Sequence, residues 1–197
     1  MAFARYVARL GAASAWTTET VEIDASLPHL AMHGRLRAIR RLLPHGKPEY
    51  QVLEVAGDQT VKQQVIARYL SAEVRASELP ASSVALSPAN YKFRYQGFAA
   101  IAGAMVYVYQ ITPRKKREGL IKGELWLDAE TGAAIRQSGY LVKSPSIFVK
   151  RVDITRETRL RGGLGAERVT HLSVNTRLVG RAELTIVERP APGAEEY

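Results

Sequence analysis

Residues 107–157 have the sequence YVYQITPRKKREGLIKGELWLDAETGAAIRQSGYLVKSPSIFVKRVDITRE, which predicts four antiparallel strands. Breaks rich in Gly, Pro, Asp or Ser separate the strands at 113–119, 128–132 and 144–146. Between the breaks apolar and polar residues alternate, and this period of two is typical of hairpins with one buried face. Around Trp126, the pattern places Leu125 and Leu127 on one face and Trp126 on the other. A slip of one residue would turn the apolar set to water, so the register is well specified.

The composition is that of an ordinary globular domain. The chain has 197 residues, of which 46% are hydrophobic and 24% charged, and this length allows a single domain over residues 1–197. The net charge of +9 permits an anionic partner. Lys and Arg alternate with apolar residues along the strands, however, which favours solvated outer faces over a dedicated anion site. The absence of cysteine excludes disulfides, thiolate metal ligands and a cysteine nucleophile.

The first residues do not form a signal peptide, because Arg9 interrupts an apolar run that is already too short. We expect that a genuine signal peptide has been removed and that Met1 is not the native start. No apolar run approaches the roughly 20 residues that span a bilayer.

Outside the meander, the name we give to the four predicted strands of residues 107–157, the periodicity predicts two helices and several further strands. Spacing of Phe3, Val7 and Leu10 predicts an amphipathic helix over 3–14. A longer helix is predicted over 58–76, with Thr60 and Gln63 as a capping box. Strands are predicted at 18–27, which Pro28 interrupts as at an edge or a bulge, and at 35–43, 50–55, 91–96, 104–111, 169–176 and 178–187. Residues 98–103 are predicted to form a loop, and a disordered tail is expected from about 190.

One part of the meander carries a family resemblance. Leu125-Trp126-Leu127-Asp128-Ala129-Glu130-Thr131-Gly132, followed by Ile135-Arg136, resembles the LolA/LolB-like lipoprotein-carrier superfamily, which includes the N-terminal domains of RseB/MucB-type sensors. The likeness is greatest to uncharacterised exported members. It implies an α+β fold, a strongly curved, unclosed antiparallel β-barrel of about 8–11 strands with helices over its concave face. It also implies an apolar cavity for acyl chains and a location in the bacterial cell envelope.

Motifs for catalysis are not found in the sequence. It has neither a G-x-S-x-G nucleophile elbow nor a Walker loop. The four histidines are interpreted as turn or surface residues rather than metal ligands: His29, His33, His45 and His171. The acidic residues of the strands favour cross-strand ion pairs over a catalytic carboxylate pair: Glu22, Asp24, Glu124, Asp128, Asp153 and Glu157. We therefore predict no catalytic residue, metal or cofactor.

The densest basic run is Arg114, Lys115, Lys116 and Arg117, at a predicted hairpin tip. It is either solvated or a contact for anionic head groups at a membrane surface. Nucleic acid is not an expected partner. Tyr91, Phe93 and Tyr95 alternate with basic residues, so aromatic and basic side chains lie on opposite faces of that strand, whereas a stacking platform needs both on one.

These observations predict a non-catalytic periplasmic carrier or sensor that binds a lipid or the acyl chain of a lipoprotein. The predicted cavity lining is Val21, Ile23, Leu36, Phe93, Tyr107, Tyr109, Leu125, Leu127 and Ile135. One alternative is a protein-interaction module of the cell envelope in which a helix plugs the cavity, with an envelope protein as partner. A weaker alternative is a hydrolase on the same scaffold.

Overall fold

The four strands predicted within residues 107–157 belong to one antiparallel sheet of ten strands in a computed structural model. The structure describes residues 1–10, 18–43, 47–101, 104–161 and 164–191. The strands, in chain order, are β1 Thr18–Leu27, β2 Met32–Leu42, β3 Pro48–Gly57, β4 Tyr91–Ile101, β5 Ala104–Pro113, β6 Ile121–Asp128, β7 Ala134–Leu141, β8 Val149–Arg161, β9 Leu164–Thr176 and β10 Arg181–Pro190.

The order of strands across the sheet is β3-β2-β1-β10-β9-β8-β7-β6-β5-β4. Each strand pairs with its sequence neighbour except at two places: β1 pairs with β10, and β3 and β4 form the two edges. The α+β class and the unclosed antiparallel sheet expected from the sequence are confirmed. Local hairpins build most of the sheet, and the pairing of β1 with β10 joins its first and last strands in sequence.

Within the described ranges, three helices accompany the sheet. Helix α1 is Ala2–Arg9. Helix α2 starts as α-helix at Gln59–Val61, continues through a π-helical turn at Lys62–Ile66 and ends as α-helix at Ala67–Ser77. Helix α3 is the short Ala81–Val84. The helix predicted over 3–14 thus starts one residue earlier and ends at Arg9, while residues 11–17 lie outside the described part.

The predicted capping box at Thr60 and Gln63 is wrong. The N-cap of α2 is Asp58, and its side chain makes no capping bond. Its carboxylate instead accepts a hydrogen bond of 2.8 Å from the backbone N–H of His33. Asp58 therefore ties the start of the helix to strand β2, and this tertiary contact replaces the local one that the sequence suggested.

Three strand boundaries also differ from expectation. Pro28 marks neither an edge nor a bulge: a 3-10 turn at Pro28–Leu30 connects β1 to β2, and β1 lies inside the sheet. The loop predicted at 98–103 is wrong for its first part, since β4 continues to Ile101 by pairing with β5. The last strand starts at Arg181 rather than 178, because Thr176 and Gly180 close a turn through their backbone. Of the predicted tail, residues 192–197 lie outside the described part.

The register aligns one residue of every strand in a single row across the sheet. Directly paired residues share a face, so the following ten side chains lie on one surface, which we call the inner face: Val55, Leu36, Ile23, Ile186, Thr170, Arg156, Gln137, Leu125, Tyr109 and Tyr95. Both ends of this row are apolar, and its centre is polar. The inner face is also where the helices pack.

Two separate hydrophobic cores cover this inner face. The α2 core joins the apolar side of α2 to β1, β2 and β10, and its largest fully buried members include Ile23, Leu27 and Ile66. The α1 core joins α1 to β4, β5 and β6 around Tyr91, Ile111 and Leu125. Strands β7 and β8 lie between the two cores, whereas Leu172 and Val174 of β9 pack against the α2 core.

Candidate functional site

The predicted lining residues occupy the inner face, but the helices cover most of them. Val21, Ile23 and Leu36 belong to the α2 core, with exposed fractions of 1%, 0% and 4%. Leu125 and Leu127 belong to the α1 core and are fully buried. Phe93, Tyr107 and Tyr109 are half-buried on β4 and β5, and Ile135 lies beside the irregularity where β6 meets β7. The structure therefore fills the two ends of the predicted cavity with its own helices.

Aromatic rings form a continuous series from the α1 core to the edge of the sheet. The ring of Phe3 on α1 lies 5.0 Å from Phe93 and 5.3 Å from Tyr109, between centroids. Tyr109 in turn lies 5.6 Å from Tyr95, and Tyr95 lies 6.1 Å from Tyr107. These separations are those of favourable aromatic pairs. The series starts under α1 and ends in solvent.

The solvent end of this series is an exposed apolar surface on the inner face, which we call the aromatic edge: Tyr95, Phe98, Met105 and Tyr107. Phe98 pairs directly with Tyr107, and Tyr107 pairs with the buried Leu127, so all three share the inner face. Exposed fractions are 51% for Tyr95, 70% for Phe98 and 48% for Met105. Large apolar side chains grouped at one exposed place are typical of binding surfaces.

Polar residues occupy the centre of the inner face, between the cores. Gln137, Arg156 and Thr170 lie side by side on β7, β8 and β9, and we call them the central strip. Arg156 is exposed to solvent, although protein surrounds it on the inner side of the sheet. Its Nε donates a hydrogen bond of 3.4 Å to the hydroxyl oxygen of Thr170. The surrounding protein, and secondly the positive charge of Arg168, lower the pKa of Arg156 below its ordinary value.

A buried ionic network flanks the central strip beneath the C-terminal half of α2. Arg40 on β2 donates to Glu19 on β1, to Glu73 on α2 and, at 2.5 Å, to Glu188 on β10. Its side chain is 7% exposed, and those of Glu19 and Glu188 are 2% and 6% exposed. Burial of charges is costly unless they are paired. Three carboxylates on one guanidinium thus hold helix α2 and strands β1, β2 and β10 together.

Burial shifts several pKa values around this network. It raises the pKa of Glu19, and the pairing with Arg40 offsets this only in part. Burial, and secondly the negative charge of Glu73, raise the pKa values of Tyr50 and Tyr69 above their ordinary range, so both phenols stay protonated. The Tyr50 hydroxyl donates its proton to Glu73. Arg40, its three carboxylates and Tyr50 thus bind one another, as expected of a network that stabilises the fold.

The basic run between β5 and β6 is exposed along its length. Arg114, Lys115, Lys116 and Arg117 all lie at the surface. Arg114 also has a fixed position, because its Nε donates a hydrogen bond of 2.9 Å to the carbonyl oxygen of Pro88. The segment between α3 and β4, which contains Pro88, also contacts α1: the carbonyl of Leu86 accepts a hydrogen bond from the hydroxyl of Tyr6. The basic run therefore lies on the side of the sheet where α1 docks.

Two depressions lie on the outer face of the sheet. One of about 480 Å³ is lined by Tyr140, Arg151, Asp153 and Glu183 among others, and the guanidinium of Arg151 lies 4.4 Å from the ring centroid of Tyr140. The second, of about 450 Å³, includes Asp24 and Arg35, which form an ion pair of 2.7 Å. None of the nine predicted lining residues borders either depression. Charged residues that pair with one another dominate both, so neither resembles an apolar cavity.

The described residues hold no group of three or more His, Asp or Glu side chains that would bind a metal ion. His29, His33 and His171 are exposed, and His45 lies outside the described residues. Several predicted cross-strand acids pair with neighbouring arginines: Glu22 with Arg37 at 3.8 Å, Asp24 with Arg35 at 2.7 Å and Glu157 with Arg136 at 3.7 Å. Within the part of the chain that the structure describes, no helix has the length and apolar character to cross a bilayer.

Comparison with known proteins finds similarity only among solved structures. No protein-family model and no curated protein matches the sequence. A DUF1329 family protein from Desulfovibrio piger matches with a TM-score of 0.47 and 13% identity, over 98% of this chain and 92% of the other. A putative outer membrane lipoprotein-sorting protein domain from Vibrio parahaemolyticus matches with a TM-score of 0.44 and 11% identity, over 98% and 93%.

A LolA superfamily protein from Nitrosomonas europaea matches with a TM-score of 0.38 and 9% identity, over 96% of this chain and 91% of the other. The architecture of this chain is described by its own strand order and register, which place ten strands in one open sheet with helices on the inner face.

Sequence reasoning missed the central strip and the buried ionic network. A signal was nevertheless present: Glu19 has the same parity in β1 as Val21 and Ile23, which face inward. Arg156 likewise alternates in phase with Val152 and Ile154 in β8. Charged residues in phase with an apolar face indicate burial or a site, but the identity of their partners depends on the pairing of β1 with β10, which alternation does not show.

Proposed function

We propose that this protein binds a hydrophobic ligand, either a lipid or the acyl chain of a lipoprotein, on the inner face of its sheet and acts as a non-catalytic carrier or sensor in the bacterial periplasm. One observation carries the proposal. The aromatic edge leaves Tyr95, Phe98 and Met105 about half exposed or more, in direct continuity with the buried α1 core. Burial of an alkyl chain there would contribute about 0.8 kcal/mol per CH₂ group.

The position of the aromatic edge suits a ligand that enters from the side. Strand β4 is an edge of the sheet, so no further strand covers Tyr95 and Phe98 laterally. Phe3 on α1 contacts both Phe93 and Tyr109, and the helix therefore forms the inner boundary of the exposed surface. The basic residues from Arg114 to Arg117 lie at the opposite end of β5, where they would contact anionic head groups of a membrane during loading or release.

The decisive experiment is native mass spectrometry of the purified protein, together with extraction and identification of lipid. A co-purifying lipid or acylated peptide in stoichiometric amount supports the proposal. An empty protein that also fails to bind a fluorescent fatty acid would contradict it. Ester and glycoside substrates tested on the same preparation should give no turnover, since the proposal assigns no catalytic role.

A pair of variants then places the ligand. Phe98→Ser removes the most exposed ring of the aromatic edge and should weaken binding of a fluorescent fatty acid by about tenfold, through loss of buried aromatic surface. Ile147→Ser is the matched control, because Ile147 is 80% exposed but lies in the loop before β8. Equal effects of the two substitutions would show that binding takes place elsewhere.

A protein-interaction module is the second candidate, and the helix-filled ends of the inner face favour it. The edge strand β3 has unpaired backbone along one side, and Val52, Leu53 and Val55 are each about half exposed there. Such an edge accepts an added strand from a partner. Capture of an envelope protein that is lost on Leu53→Lys, with no lipid in the purified protein, would favour this candidate over the carrier.

A further inference from the structure

Arg156 differs from Arg40 and Arg168, two other arginines on the inner face, because it has no acidic partner among the described residues. Arg40 binds three carboxylates, and Arg168 lies 3.7 Å from Glu188. Among the residues that the structure describes, no carboxylate oxygen lies within ion-pair distance of Arg156, whose one hydrogen bond is to Thr170. Arg156 lies on the inner face and is exposed to solvent, so its guanidinium can be approached by a ligand.

The surroundings leave this cation incompletely compensated. Protein and the nearby Arg168 both disfavour its positive charge, which lowers the pKa of Arg156. Glu188, Tyr69 and Glu73 oppose that effect only in part, and Arg40 already binds both of these carboxylates. An anion that reached the guanidinium would therefore gain a charge-assisted hydrogen bond without first displacing a carboxylate of the protein.

The register also fixes the position of Arg156 relative to the aromatic edge. Arg156 pairs with Gln137, Gln137 with Leu125, Leu125 with Tyr109, and Tyr109 with Tyr95, all in one row. Three strand spacings, about 14 Å, separate Arg156 from β5, the strand that carries Met105 and Tyr107 of the aromatic edge. A fatty acyl chain spans such a distance, and it would lie beside α1, which covers Leu125. A charged group at the central strip and an apolar surface at one end of the same row fit the two parts of an amphiphile.

We propose that Arg156 binds the acidic head group, a carboxylate or a phosphate, of an amphiphile whose alkyl chain extends toward the aromatic edge. This rests on the proposed function, since it names the class of its ligand. Gln137 lies beside Arg156 on β7 and supplies a further polar group for head-group oxygens, while the buried Thr170 holds Arg156 in place through the hydrogen bond from Nε. A neutral lipid of equal chain length would bury the same alkyl surface but leave the guanidinium unpaired.

The test is isothermal titration of the full-length protein with dodecanoate, dodecyl phosphate, the neutral monododecanoyl glycerol and inorganic phosphate. Both anionic dodecyl probes should bind about tenfold more tightly than the neutral one, the effect of one charge-assisted hydrogen bond. Inorganic phosphate alone should bind far more weakly than dodecyl phosphate. If inorganic phosphate binds as tightly as dodecyl phosphate, the site takes free anions and the amphiphile proposal is overturned.

Arg156→Gln should abolish the preference for the anionic probes and leave the affinity for monododecanoyl glycerol unchanged. Arg94→Gln is the matched control for net charge, because Arg94 is exposed on the outer face of β4, and it should retain the preference. Since the ratio of two affinities on one preparation does not depend on the folded fraction, partial unfolding of a variant does not obscure the result. An unchanged ratio in Arg156→Gln would overturn the proposal.

Phe98→Ser separates the failure of this inference from failure of the proposed function. It should weaken the anionic and the neutral dodecyl probes by the same factor, because it removes only apolar contact. Binding of all dodecyl probes without preference, still sensitive to Phe98→Ser, would overturn the head-group site and leave the hydrophobic-ligand function standing. Failure of every dodecyl probe to bind would overturn both.

Discussion

Gly34 lies directly beneath Val61, at the point where α2 crosses β2: a β-carbon on Gly34 would come within 2.9 Å of Val61 Cγ1. The helix approaches the sheet this closely only because position 34 has no side chain. Gly34→Ala should therefore destabilise the protein by about 1–3 kcal/mol through overpacking. Urea denaturation would show this as a lower midpoint with an unchanged slope.

The control for that prediction is the double substitution with Val61→Ala. Val61 is fully buried, so its truncation alone should also destabilise the protein through loss of packing. In the double variant the new methyl group at position 34 enters the space that Val61 vacates. The loss of stability in the double variant should therefore be smaller than the sum of the losses in the two single variants. Strict additivity would show that the two positions do not compete for the same space.

Arg40 is expected to be the most sensitive charged residue of the fold. Arg40→Met removes the cation that Glu19 and Glu188 share: the buried Glu19 loses this ion pair, and Glu188 keeps only the longer pair with Arg168. Breaking a buried pair from one side costs about 3–5 kcal/mol. A fall of that size in the free energy of unfolding, measured with urea at pH 7, is the expected outcome.

Arg37→Met is the matched control, because Arg37 lies on the same strand but points outward to Glu22 and Glu54. Its side chain is 53% exposed. Exposed pairs contribute about 0–1 kcal/mol, so the loss should stay within that range. Similar losses for the two variants would mean that the buried network stabilises the fold no more than surface pairs do.

The sheet was largely predictable because its signals are local. In β6 the alternation around Leu125 and Leu127 determines the buried face within a single strand, and Asp128 to Gly132 supply the turn that follows. The other hairpins show the same combination of alternation within each strand and turn residues after it. The start of α2 was less predictable, since Asp58 bonds to His33 across 25 residues of sequence rather than to its own helix.

The central strip and the ionic network depend on pairings that local signals do not carry. Arg40 and Glu188 are 148 residues apart in sequence and meet because β1 pairs with β10. Alternation alone shows that Glu188 shares a face with Ile186, but not which cation it meets. Arg156 is a similar case. It lacks a carboxylate partner in the described structure because Arg40 binds the nearby carboxylates, and this arrangement exists only in the assembled sheet.

The turn between β6 and β7 should respond to acid. Asp128 Oδ1 accepts hydrogen bonds from the backbone N–H and the hydroxyl of Thr131, at 2.7 and 2.6 Å, and the bond from the Thr131 side chain is the main cause of its lowered pKa. A carboxyl with a lowered pKa in the folded state contributes stability above its unfolded pKa, about 3.9, and this is lost as the pH falls through the folded value.

Asp128→Asn isolates that contribution. Because the carboxylate is largely solvated, the free energy of unfolding of the wild-type protein should exceed that of the variant by well under 1 kcal/mol at pH 7. The difference in the free energy of unfolding should shrink as the pH falls below about 4. Urea denaturation at several pH values checks this, and a difference that does not vary with pH would contradict the assignment.

Helix α1 should detach if position 132 acquires a side chain. Gly132 has a φ of +72°, and a β-carbon there would lie 2.7 Å from the carbonyl oxygen of Ala2 and 2.9 Å from the backbone nitrogen of Tyr6. Both contacts are with backbone and cannot yield by a rotamer change. Gly132→Ala should therefore displace α1, uncover Leu125 and Leu127, and raise the fluorescence of a bound naphthalene sulfonate dye together with amide exchange in residues 2–9.

Gly97→Ala separates this displacement from simple backbone strain. Gly97 also has a positive φ, +144°, but a β-carbon there would meet no atom of the described residues within 4 Å. Both substitutions should destabilise the protein, since alanine is strained at positive φ. Only Gly132→Ala should increase dye binding and amide exchange in α1, because only position 132 lies against the helix. If Gly97→Ala produced the same increase, the exposure would come from general loosening of the sheet and α1 would not be the cover of this core.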